Sequence, residues 1–322
     1  AVAPAEAAAL AHLGTELRYV TEHPQLAACA EDLPPPFEVE RGQPSRGINA
    51  AGFAFTCALA IERGPPEGAR PQSFADLSRR LMSDCTTVAD GVELLLAAGS
   101  VSPAFSVLLA DAAWGLAHFE VGLFGCAVHK RYSKESPGIV MAVNCHQCTD
   151  LVPVNRPEAQ LDHEANNNGC RLKRGWELAE LRRGKLDVEA LAAILGDHGN
   201  RERDCGSNPL IKWWGHSICN HGSGESCEYS VSVPPWGTVS AEIFQPSKAV
   251  LHYCYGWPCG EQAEFGDQLF QGGSWGRFLA FALPPRASAP AAPPSAPGVV
   301  ECTTVAGEVT QAGRALLVRA TF

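Results

Sequence analysis

The chain is 322 residues long, enough for one large or two medium domains with a well-buried core. Hydrophobic residues make up 46% and charged residues 19%, and 25 Lys+Arg against 35 Asp+Glu leave a net charge of −10. No apolar run reaches the ~18 residues of a membrane-spanning helix, and an acidic field repels the phosphates of a nucleic acid, so neither membrane nor nucleic acid is an expected partner.

Thirteen cysteines are many, yet their number is odd and the chain is too long to need staples. Reduced, buried thiols and the cytoplasm are therefore the favoured reading. The first residue is Ala1 and no charged-then-apolar leader precedes it, which points to a processed chain or a fragment.

In chain order, residues 1–13 are Ala-rich and read as a short helix or a tail, and Leu17 to Val20 reads as a strand before the triple proline at 34–36. Residues 47–55 read as a turn feeding a strand. Ser73 and Thr87 are placed to cap two helices, the first with Phe74, Leu77 and Leu81 on one stripe, the second with Val88, Val92, Leu95 and Leu96 and with Gly99 as its stop. Phe105–Leu109 and Leu116–Val121 form a predicted hairpin around residues 111–115, with Glu120 near its end. Ile139–Val143 reads as a strand running into Asn144-Cys145-His146, and helices are expected over 172–181 and after Asp187 up to Gly196. Residues 238–244 and 249–255 pair as strands across Gln245–Lys248. Residues 284–300 are a Pro/Ala-rich linker, and 301–322 reads as two short strands around Gln311–Gly313. Paired helices between runs of antiparallel strands give an α+β class.

Three chemistries come into question. Cys145 and Cys148 have the C-x-x-C spacing of a zinc knuckle, with Cys219, His221, Cys254 and Cys259 as further ligand candidates, but no second C-x-x-C exists. No G-x-S-x-G, Walker loop or G-x-G-x-x-G is present, so neither a serine elbow nor a nucleotide cofactor is expected. The third chemistry is a cysteine that opens a strand and uses its own freed α-amino group, of pKa about 7.7–8.0, as base. The segment CTTVA occurs at 85–89 and again at 302–306. Cys85 precedes a helical pattern and reads as a cap-region thiol, whereas Cys302 leads into strand-like residues.

Those pieces, taken in order, resemble a known family. Residues from about 45 to 260 resemble the acyl-coenzyme A:6-aminopenicillanate acyltransferase-like family of N-terminal-nucleophile (Ntn) hydrolases. The matching segments are GINAAGF at 47–53, LLADAAWG with Glu120, VNCH at 143–146 and Arg171 with Arg174. ILGDHG at 194–199, HSICNH at 216–221, TVSA at 238–241 and GWP at 256–258 complete the run. The resemblance implies a four-layer αββα sandwich with antiparallel sheets. Residues 1–283 would form the domain, 284–300 the linker, and 301–322 a C-T-T strand segment completing it. It further implies Cys302 as nucleophile, Asn144 as an oxyanion-hole donor worth roughly 3–4 kcal/mol of barrier, and Arg171 as a pocket arginine able to meet a carboxylate. The implied reaction is amide-bond hydrolysis or acyl transfer through an acyl-enzyme. A small-molecule acyl donor and an amine or water acceptor would take part, with no metal and no cofactor. Cleavage between Glu301 and Cys302 would release a 21-residue fragment that stays bound. Against the family pattern, the C-T-T segment comes last rather than first and Glu301 stands where a glycine is usual, the marks of a permuted or fragmentary relative. An inactive scaffold or a zinc-binding structural protein is the alternative.

Overall fold

The structure is a computed structural model that describes residues 12–16, 44–64, 67–161, 167–199, 217–219, 238, 240–261, 273–283 and 316–317. Its largest sheet has six strands, β1 (His12–Glu16), β2 (Pro44–Asn49), β3 (Ala54–Leu59), β6 (Phe105–Ala110), β7 (Leu116–Gly122) and β8 (Gly125–Tyr132), neighbours in that order and antiparallel throughout. A four-stranded antiparallel sheet runs β11 (Leu279–Ala282), β10 (Val250–Tyr255), β9 (Ser240–Gln245) and β12 (Leu316–Leu317). Two-residue strands β4 (Gln72–Ser73) and β5 (Val101–Ser102) pair in parallel and bracket helices α1 (Phe74–Asp84) and α2 (Val88–Ala98). Helices α3 (Asn167–Leu181) and α4 (Val188–Leu195) follow later in the chain. The class is therefore α+β, with both principal sheets antiparallel.

Local sequence explains most of these elements. In α1 the buried residues Phe74, Leu77, Ser78, Leu81 and Met82 recur at three- and four-residue spacing, one stripe of a 3.6-residue helix. Helix α2 begins with a reciprocal cap: the Asp90 amide donates to Thr87 Oγ1 at 3.2 Å, and the Thr87 amide donates to Asp90 Oδ2 at 2.9 Å. The Ala190 amide donates to Asp187 Oδ1 at 2.8 Å at the start of α4. Ser73 precedes α1 but makes no side-chain capping bond; its backbone pairs with Ser102 across the β4–β5 pair.

Alternation along the strands sorts side chains into three clusters. Phe53, Phe55, Val107, Leu109, Ala117, Phe119 and Val121 pack with α1 and α2. Ala241, Ile243 and Cys254 pack with Leu178, Leu191, Ile194 and Leu195 of α3 and α4. Ile48, Ala54 and Ala110 of the larger sheet meet Phe244 and Leu251 of the smaller one in the third cluster. The same face of β9 carries Glu242, wholly buried, whose Oε1 lies 3.3 Å from Arg46 Nε of β2 and accepts from Ser240 Oγ at 3.1 Å.

Two sequence expectations change, and one strand was not foreseen. The first described strand, His12–Glu16, begins within the stretch read as helix or tail; the strand expected at 17–20 lies outside the described residues. Residues 139–142 form no strand: only an isolated bridge joins Val143 to Cys145, and Met141 instead packs among α3 and α4. A short apolar run fits a buried extended segment as well as a strand. Strand β8 was not announced by its sequence because GCAVHKRY lacks alternation and lies at a sheet edge. The expected linker at 284–300 and Cys302 fall outside the described residues, whereas Leu316 and Leu317 pair with Phe244 and Ile243 of β9.

The two sheets touch at their turns. Gly52 has φ +78, and a Cβ there would lie 2.3 Å from the Pro246 carbonyl oxygen and 2.9 Å from Ala112 Cβ. Gly52→Ala should therefore destabilise the fold by about 1–3 kcal/mol for the backbone conformation alone, with the clash adding to it. Chemical denaturation measures this; an unchanged midpoint would contradict the close approach of the β2–β3 and β9–β10 turns.

Candidate functional site

Strand β7 reads Leu-Ala-His-Phe-Glu-Val-Gly, and its alternation divides its work. Ala117, Phe119 and Val121 enter the helix-facing cluster, so His118 and Glu120 point to the opposite face. Ser106 of β6 is the register partner of Glu120. Ser106, His118 and Glu120 are all buried, so this polar face is covered. Residues 143–148 help cover it.

His146 is wholly buried between two carboxylates. Its Nε2 lies 2.8 Å from Glu62 Oε1 in a hydrogen bond. Its Nδ1 lies 3.4 Å from Glu120 Oε2, close enough for charge attraction but poorly aimed for a hydrogen bond. Glu120 also accepts the Gln147 amide at 2.6 Å and the Cys148 amide at 3.0 Å. Glu62 accepts the Leu123 amide at 2.9 Å. Asn155 brackets the His146 backbone, its Oδ1 accepting from the His146 amide and its Nδ2 donating to the His146 carbonyl, both at 2.9 Å. Ser106 Oγ lies 3.2 Å from the Cys145 carbonyl oxygen, 3.3 Å from His118 Nε2 and 3.5 Å from Glu120 Oε1, with a single hydrogen to share among them.

Burial by itself would push the His146 imidazole down, but Glu120 and Glu62 more than offset it and lift its pKa to about 9. Burial would raise the Glu120 carboxyl; the neighbouring His146 and His118 and the two backbone amides hold it below its ordinary value. Burial drives His118 to about 4 against the opposing pull of Glu120. At neutral pH the centre is thus an imidazolium clamped by carboxylates beside a neutral imidazole. Its groups are sealed from solvent and bonded to the backbone of 146–148, so it fixes the path of that segment.

Two residues before His146, Asn144 emerges from this clamp. Its Nδ2 donates to the Leu59 carbonyl at the end of β3 at 2.9 Å, and its backbone amide donates to Asn168 Oδ1 at 3.2 Å. Arg171 of α3 donates from Nη2 to Asn144 Oδ1 at 3.1 Å and to Asn168 Oδ1 at 2.6 Å. Burial presses the Arg171 guanidinium down to about 9, still charged at neutral pH. Asn144 and Arg171, singled out separately in the sequence, are thus in direct contact.

The remaining expectations divide. Cys302 lies outside the described residues. Cys85 is buried just past α1, and burial, with Asp90 and Asp84 nearby, pushes its thiol up to about 12, as befits a structural thiol. Among the described residues, the three-donor group able to hold a metal contains neither Cys145 nor Cys148; it joins Cys219 and Cys259 to His198. Cys145 instead packs in an apolar cluster with Val143 and Ala159. Sequence reasoning missed Glu62, Ser106 and His118 as members of the centre. For His118 and Glu120 a signal existed, since two polar residues alternate with three apolar ones in one strand; Glu62 offered none.

The chain matches no family model and no curated protein. Among solved structures, penicillin V acylase from Agrobacterium tumefaciens aligns over 66% of this chain and 63% of its own, at 12% identity and a TM-score of 0.35. A mutant of conjugated bile acid hydrolase from Clostridium perfringens aligns over 66% of this chain and 69% of its own, at 12% identity and a TM-score of 0.37. The chain therefore spans just under two thirds of the acylase. Superpositions this loose carry neither topology nor chemistry from those proteins to this one. Among the described residues no helix is long and apolar enough to cross a membrane.

The centre sets the pH dependence of stability. His146 has its pKa raised from 6.5, so its contribution is complete below about pH 6.5 and is lost as the pH rises through about 9, a change of about 3 kcal/mol. His118 and His252, both lowered by burial to about 4, act oppositely: the unfolded chain takes up protons first, so stability falls from about pH 6.5 towards 4. Denaturation midpoints across pH should peak near 6.5. His146→Gln should flatten the alkaline limb, and an unchanged slope between 6.5 and 9 would show that His146 does not carry it.

Proposed function

We propose that this chain is an amide-bond hydrolase or acyltransferase of the Ntn type, folded as a four-layer αββα sandwich. Helices α1 and α2, the six-stranded sheet, the four-stranded sheet and helices α3 and α4 would be its layers. Three clusters at the expected interfaces support that architecture. The pairing of Leu316 and Leu317 with β9 supports a C-terminal segment that joins the smaller sheet.

The observation that carries the chemical reading is the bond from Arg171 to Asn144 Oδ1. A guanidinium on the oxygen of an amide draws electron density from its nitrogen and strengthens the N–H groups as donors. In the proposed cycle Cys302 Sγ attacks the substrate carbonyl and its proton passes to the freed α-amino group. The Asn144 amide stabilises the oxyanion. The leaving amine takes that proton as the C–N bond breaks, leaving a thioester. Water or a second amine then attacks the thioester, and the thiol is restored. The acidic surface favours a small-molecule substrate over a polyanion.

Intact-mass spectrometry after denaturation, with iodoacetamide labelling, should find the chain cut between Glu301 and Cys302 and labelled at Cys302. On a panel of N-acyl anilides, Cys302→Ala should abolish turnover. Asn144→Ala should lower kcat by about 10²–10³ with KM little changed. An uncut chain whose Cys302→Ala variant turns over like the parent would refute the proposal; an uncut, inert chain would mark a non-catalytic relative.

A further inference from the structure

A second constellation lies in a different part of the chain. His198, Cys219 and Cys259 come from three separate segments, and their ligand atoms all lie within 4.8 Å of one another. Both cysteines are unbridged. Cys219 is wholly buried, and Trp257 and the partly buried Cys259 and Trp275 pack around it, the two indoles edge to face at 5.7 Å between centroids.

Each segment is fixed by bonds outside the cluster. Arg174 of α3 donates through Nε and Nη2 to the two oxygens of Asp197, at 2.9 and 2.8 Å, and the Gly199 amide donates to Asp197 Oδ2 at 2.8 Å. This holds the loop carrying His198. The Cys219 amide donates to the Asp197 carbonyl at 3.2 Å, tying the second segment to the first. Cys259 sits in a turn closed by the Gly260 amide on the Trp257 carbonyl at 3.1 Å. A Cβ on Gly196 would lie 3.0 Å from Cys259 Cα, so that turn and the end of α4 pack backbone to backbone.

The turn at Cys259 has a further property. Gly260 has φ +81, and the next amide, Glu261 N–H, donates to Cys259 Sγ at 3.3 Å. That bond fixes the direction of the Cys259 sulfur within the turn. Two thiolates and an imidazole form a soft-to-borderline donor set suited to zinc. Bonds of about 2.3 Å to sulfur and 2.0–2.1 Å to nitrogen place tetrahedral donors some 3.5–3.8 Å apart. The observed group needs to contract by only about an ångström to reach that spacing.

We propose that His198, Cys219 and Cys259 bind one zinc ion, which clips the loop after α4, the 217–219 segment and the turn after β10 together. The remaining position on the metal is filled by water or a further donor. This site does not depend on the hydrolase reading and involves none of its residues.

The test uses the full chain purified with its thiols reduced. Metal analysis should find about one zinc per chain, and replacement by cobalt(II) should give the ligand-field and thiolate charge-transfer bands of a tetrahedral thiolate site. Cys219→Ser should lower zinc affinity more than about 100-fold, beyond the 10–100-fold typical of outer-shell changes. Should that variant fail to fold, His198→Cys keeps a full ligand set and should bind cobalt with added charge-transfer intensity. Cys126→Ser, outside the cluster, should leave both readouts unaltered. A metal-free chain that takes up no cobalt overturns the proposal, as does a Cys219–Cys259 disulfide that survives in the native protein, or a cobalt spectrum indifferent to His198→Cys.

Discussion

Placing two carboxylates and an imidazole in one dry pocket costs several kcal/mol per ion in lost hydration, and removing one partner leaves the others with uncompensated charge. The Glu62–His146–Glu120 cluster meets that cost with short contacts and with three backbone amides, those of Gln147, Cys148 and Leu123. An apolar core of equal volume could be as stable. What the charges add is direction. A carboxylate that accepts two successive backbone amides fixes where residues 147 and 148 run, and Asn155 does the same for His146. Asn144 therefore reaches Arg171 and the end of β3 from a backbone with little freedom to relax.

Polar groups recur where the structure has to be specified and not merely held together. Arg46 and Glu242 meet between the β2 and β9 strands of the two sheets, in a region otherwise closed by Ile48, Ala54, Ala110 and Phe244. Apolar contacts alone would tolerate a slip of one sheet over the other. A slip of one residue along β9 would turn Ala241 or Ile243 towards Arg46 and bury Glu242 against the helices. Arg174 and Asp197 anchor the loop after α4 in a comparable way.

Much of the scaffold was legible from short-range pattern. The α1 stripe, the Thr87–Asp90 box, the Asp187 cap and the two hairpins depend on residues at most a few positions apart, and each formed close to its expected bounds. The misreadings share one cause. Residues 139–142 carried enough apolar character for a strand, but Met141 found its burial against helices; GCAVHKRY carried too little alternation, yet β7 offered it an open edge. Asn144 and Arg171 were singled out from motif likeness, which says nothing about their separation; their contact comes from the docking of α3 on the 143–148 segment.

The sequence by itself determined the α+β class, the helix starts and stops and the acidic balance, because these follow from backbone propensity, periodicity and summed charge. Alternation in the β7 sequence also carries, unread, the fact that His118 and Glu120 share a face of their strand. Only the tertiary structure decided what covers that face. Glu62 lies 84 positions from His146, and His198, Cys219 and Cys259 come from three loops. The energy of a buried charge or a metal donor depends on distance in space and on the exclusion of water, and neither quantity is a function of position along the chain.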